Sequence, residues 1–114
     1  MVIIDCSDYN KLKQDQKNVI NKAVKKLDTI INGLGDFRAC MYNNPAIHDS
    51  YGDFYVYKYM TKGFSVRLLY RYQNNTVELH QFHFKKGDRD NSKYIEHFEL
   101  YVDKFTRKDR RLCL

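Results

Sequence analysis

The sequence predicts an α+β fold: a short N-terminal strand, a helical hairpin, a three-strand antiparallel meander and a C-terminal helix, in one domain over residues 1–114. Three observations carry this reading. Residues 54–84 alternate apolar and polar side chains and are broken twice by turn residues, the pattern of consecutive antiparallel strands. Residues 19–31 repeat apolar side chains at helical spacing, and residues 94–105 do so again. A chain of 114 residues is long enough to bury one core and too short for two.

The elements follow in order. Val2-Ile3-Ile4 is a short apolar run, read as an opening strand. Ser7 or Asp8 can cap a brief helix from Tyr9 to Lys13, because their side-chain oxygens accept from its free N–H groups. Asp15 is the candidate N-cap of a longer helix whose stripe is Val19, Ile20, Ala23, Val24, Leu27, Ile30 and Ile31. Gly33 and Gly35 end it, since glycine accepts the left-handed conformation found after helices. Residues 36–50 have no single reading: Phe37 to Tyr42 fits strand or helix, and Asn43-Asn44-Pro45 is a break. After a turn at Tyr51-Gly52-Asp53, Phe54 to Met60 reads as a strand. Thr61-Lys62-Gly63 turns it into Phe64 to Tyr72, and Gln73-Asn74-Asn75 turns that into Val77 to Phe84, Asn being tolerant of positive φ. A polar loop, Gly87 to Ser92, leads to a last helix capped by Asn91 or Ser92. Its apolar face is Tyr94, Ile95, Phe98, Tyr101, Val102 and Phe105.

Helices stacked on one sheet face leave the other face open. Lys58, Arg67 and Arg71 share the alternation that puts them on that open face, opposite Tyr55, Tyr57 and Tyr59. The net charge of +6 and a pI near 9.2 favour a polyanionic partner. Ten Tyr and no Trp suit either core packing or base stacking. Cys6, Cys40 and Cys113 have no metal spacing and are odd in number, which argues against a secreted disulfide framework and for a reducing cytoplasm. No apolar run reaches transmembrane length, so no membrane is expected as partner. His80 and His83 stand three apart in a strand and so are expected on opposite faces, unable to share a metal. No metal and no cofactor is expected.

The run Tyr51 to Lys58, then Val66-Arg67-Leu68-Leu69-Tyr70, then Phe82-His83-Phe84-Lys85-Lys86 resembles the RelE/HigB/ParE superfamily of bacterial toxins. Those proteins show a Gly-x-x-Tyr strand, an Arg-x-x-Tyr strand and a strand ending in Lys-Lys or Lys-Arg. The resemblance spans nearly the whole chain in short pieces. It implies a toxin of a toxin–antitoxin system, a ribosome-dependent endoribonuclease that cuts mRNA on the ribosome and is held by an antitoxin protein. Carried over by position, Lys58, Arg67, Lys86 and Arg89 neutralise the phosphate, and Tyr94 stacks on a base or bonds near the scissile group. Cleavage by the ribose 2′-hydroxyl needs a base, an acid and donors for the pentavalent phosphate; His83 is a further candidate acid or base.

Some features point elsewhere. Asp88 and Asp90 interrupt the cations after the third meander strand, and no histidine follows His97, whereas some members of the superfamily use one near the C-terminus. The alternative is a non-catalytic protein-binding member of the same fold, a gyrase-targeting ParE-like toxin or a small phage-type inhibitor.

Overall fold

The computed structural model describes residues 1–33, 45–85 and 91–112. Strands β1 (Val2–Ile4), β2 (Asp49–Tyr51), β3 (Phe54–Thr61), β4 (Phe64–Gln73) and β5 (Thr76–Phe84) form one sheet in the order β1-β5-β4-β3-β2. Helix α1 covers Gln14–Gly33 and α2 covers Asn91–Leu112. The class is α+β, and the sheet departs from the expected one in two ways. The meander has four strands, because Asp49–Tyr51 pairs antiparallel with β3. The sheet is also not purely antiparallel, because β1 runs parallel to β5, Val2 opposite Val77.

The turns obey local chemistry. Between β4 and β5 both turn residues have positive φ, Asn74 at 53° and Asn75 at 58°, the two-residue geometry whose twist matches that of the flanking strands. Gly63, at φ 96°, serves the β3–β4 turn. The helical hairpin is not formed among the described residues. A 3₁₀ turn at Ser7–Lys11 leads directly into α1. That helix starts two residues earlier than expected, at Gln14 rather than after an Asp15 cap. The Lys13 N–H donates to Gln16 Oε1 at 3.2 Å, half of a capping box, while Asp15 lies inside the first turn. Helix α2 already includes Asn91 and Ser92, so its cap lies outside the described residues. No described helix is long and apolar enough to cross a membrane.

Both faces of the sheet are covered, which corrects the expectation of one open face. On one side Ile20, Ala23, Val24, Leu27 and Ile31 of α1 pack with Tyr57, Val66, Leu68, Tyr70, Val77 and Leu79. On the other, Tyr94 and Phe98 of α2 pack with Phe54, Val56 and Leu69. The apolar stripe of α2 is the physical reason. Left over an open sheet face it would stand in water, and closing it on Phe54, Val56 and Leu69 removes apolar area from solvent on both surfaces.

A bulge in β5 sets the placement of its histidines. Leu69 pairs with Gln81 but Tyr70 pairs with Leu79, so His80 is the extra residue. A bulge puts two residues of one strand opposite one of its partner and shifts the alternation beyond it. Leu79 and Phe82 therefore both join the α1 side. His80 and His83 both meet α2, through Tyr101 and Tyr94 respectively. The expectation that they face opposite ways is corrected by that one inserted residue.

Candidate functional site

The register aligns three candidate residues in a row across the sheet. Lys58 of β3 stands opposite Arg67 of β4, and Arg67 stands opposite His83 of β5. Directly opposed residues project to the same face, here the α2 face. Tyr94, in the first turns of α2, lies over the row with its ring centroid 5.7 Å from the Arg67 guanidinium carbon and 6.5 Å from the His83 ring. The structure thus brings together Lys58, Arg67, His83 and Tyr94. Lys86 and Arg89 lie outside the described residues.

Arg67 is the unusual member. It is 3% exposed, and its Nε has no hydrogen-bond partner among the described residues. Its Nη1 makes two long bonds, 3.4 Å to Ser65 Oγ and 3.5 Å to the Val66 carbonyl. No described carboxylate forms an ion pair with it. Its cross-strand neighbour Lys58 carries the same charge, an arrangement that destabilises a sheet. A buried, incompletely bonded cation beside a like charge breaks three rules of stable packing in one place. Such concentrations of local conflict are where sites are found.

Two histidines that the sequence alone does not single out complete the cluster. His97 sits one turn after Tyr94 on α2, its ring centroid 6.2 Å from that of His83. Its helical spacing from Tyr94 was the available signal. His48, exposed and held by a 2.8 Å bond from its N–H to the Val56 carbonyl, had none, because residues 36–50 lacked a readable pattern. Burial lowers the pKa of His48, and the Arg67, Lys58 and Lys85 charges lower it further against the opposing pull of Asp49. Burial, then His83, lowers that of His97. Both rings therefore stay neutral around pH 7 and can accept a proton, beside two cations that cannot.

A second polar group lies further along the same face. Arg71, expected on the open sheet face, pairs with Glu78: its Nε donates to Glu78 Oε1 at 3.0 Å. His80, 2% exposed, lies 3.2 Å from the same oxygen through Nε2 and 2.9 Å from the Tyr101 hydroxyl through Nδ1. A carboxylate only accepts, so in the neutral ring Nε2–H donates to Glu78 and Nδ1 accepts from Tyr101. Both ring nitrogens of His80 are matched within the fold, so the Glu78–His80–Tyr101 chain ties α2 to β5. No cluster of metal-ligating side chains is present among the described residues.

Burial pushes the Glu78 carboxyl up, but bonds from His80, Gln73 and Arg71 together with the Arg71 charge outweigh it and hold the pKa below its ordinary value of 4.5. A depressed carboxylate contributes stability that is complete above the unfolded value and is lost as pH falls through the folded one. His97, depressed below 6.5, acts with the same sign at higher pH. Urea midpoints should therefore fall on acidification from neutrality, first through the histidine range and again below pH 4.5. Glu78→Gln should remove the second fall and leave the first. An unchanged acid limb in that variant would show that Glu78 is not linked to folding.

Comparison with protein-family models, curated proteins and solved structures finds no match to this chain.

Proposed function

We propose that the chain is a toxin of the RelE/HigB kind, a ribosome-dependent endoribonuclease that cuts mRNA and is held in check by an antitoxin protein. The observation that carries this is the buried Arg67, without a carboxylate partner among the described residues, set between Lys58 and His83. A cation so placed lacks the negative charge its surroundings call for, and a phosphodiester supplies one. Lys58 and Arg67 stabilise the pentavalent phosphate. A neutral histidine, His48 or His97, takes the 2′-hydroxyl proton, and His83 is the candidate acid for the leaving 5′-oxygen. Tyr94 exchanges its contact with the guanidinium for stacking on a base, which requires the start of α2 to move off Arg67 as RNA enters. The cytoplasm, where messenger is translated, is the corresponding location. This reading does not need the C-terminal histidine that the sequence lacks, because His48 and His97 stand at the same cluster.

One observation favours the second reading, a non-catalytic protein-binding member of the same fold. Arg67 is 3% exposed beneath Tyr94, and a cation that stays covered cannot touch a phosphate. Expression in a bacterial host, with primer extension on a translated messenger, separates the two. Growth arrest with cuts inside codons supports the nuclease. Arrest with intact messenger supports a protein target such as gyrase, and no arrest removes both toxin readings.

A further inference from the structure

A cleft of about 290 Å³ opens where the β2–β3 turn meets the C-terminal half of α2. Its lining includes Phe54, Val102 and Phe105 as apolar surface, Asp53 and Thr106, and Arg71, the one cation among the described residues that line it. It lies along the same face as Lys58, Arg67 and His83 but shares no residue with them. We propose that this cleft binds a small apolar monocarboxylate, with Arg71 taking the carboxylate.

Arg71 is placed before any ligand arrives. Its Nε is committed to Glu78 at 3.0 Å. Its guanidinium carbon lies 5.0 Å from the Phe105 ring centroid and 5.8 Å from that of Phe54. Rings and carboxylate fix the side chain, so little rotamer freedom remains to be lost on binding. The Nε bond is the only hydrogen bond Arg71 makes to a described residue, and its side chain is 22% exposed. The two Nη groups therefore remain as a donor fork, the geometry that matches a carboxylate bidentately.

The surroundings choose the ligand's charge and shape. Glu78 already offsets one positive charge, and Asp53 adds a negative charge to the lining. The net local charge is therefore negative, so a carboxylate is held by direct hydrogen bonds to the Nη fork rather than by long-range attraction, and a dianion such as phosphate is repelled about twice as strongly as a monoanion. Thr106 cannot help with an anion, because its hydroxyl proton is donated to the Val102 carbonyl at 2.9 Å. The two Phe rings and Val102 favour an apolar body, and the volume limits it to a single ring or a branched chain.

The test is a titration of the isotope-labelled full chain, followed by amide chemical shifts, with phenylacetate as probe. Saturable shifts at Gly52, Val102 and Thr106 are expected. Phenylacetamide, the neutral isostere, should bind about tenfold more weakly, as should phenylacetate to Arg71→Gln, since bonds to a charged group are worth roughly that factor. Phosphate should leave these amides unmoved. No saturable shift with phenylacetate, or equal binding of phenylacetamide, or phosphate binding at the same amides would overturn the proposal. Retained affinity in Arg71→Gln would overturn it as well. Should Arg71→Gln fail to fold, Arg71→Lys keeps the charge and loses the fork, and the comparison of the two probes on the unaltered chain still decides.

Discussion

Arg67→Met should abolish the messenger cleavage proposed above and at the same time stabilise the fold by about 1–4 kcal/mol, the range seen when buried ionic groups give way to apolar side chains of similar volume. Arg67 is buried, its Nε has no partner among the described residues, and Lys58 opposes it with like charge. Methionine has nearly the reach of arginine, no charge to desolvate, and a sulfur that packs well against the Tyr94 ring. The contact between guanidinium and ring that it replaces is worth about 2 kcal/mol when desolvated, less than the cost of burying an unmatched cation. Urea unfolding of both proteins at equal m-value measures the difference. A loss of more than about 1 kcal/mol would mean that the guanidinium is well paired and that its burial is structural.

Phe98→Ala should cost about 3–5 kcal/mol, the usual penalty for emptying a buried aromatic site. Phe98 is fully buried, packed with Phe54, Val56, Leu69 and Tyr94, and its ring centroid lies 5.7 Å from that of Tyr94. A domain of this size has about 5–15 kcal/mol in total, so the variant is expected to lie near the edge of folding at 37 °C. Leu100→Ala, on the exposed side of the same helix, should change stability by no more than about 0.5 kcal/mol. Equal and small effects for the two would mean that α2 does not close on the sheet, leaving the row of Lys58, Arg67 and His83 open.

What the sequence made legible was local. Asn74 and Asn75 announced a tight turn, and both adopt the positive φ that it needs. The alternation of β3 and β4 placed Lys58 and Arg67 on one face, and the register confirms it. What it hid was non-local. The stripe of α2 said that one helix face is apolar but not which surface it meets. The bulge at His80 has no signature in composition, yet it decides which way His80 and His83 point. The pairing of β1 with β5 joins residues about 75 apart in sequence, and β2 is only three residues long. At the candidate site, Lys58, Arg67 and Tyr94 were singled out by alternation, helical spacing and the resemblance together, and His83 only by its residue type, since alternation alone could not orient it past the bulge. His48 and the matched Glu78–His80–Tyr101 group required the folded chain.

The proposed ribosome-dependent cleavage is tested most directly with purified protein, ribosomes carrying a 5′-labelled messenger, and Arg67→Met of measured stability beside the unaltered chain. Cuts within codons at the ribosome by the unaltered chain, and none by the folded variant, are expected. Equal cutting by both, or intact messenger with both, would contradict it.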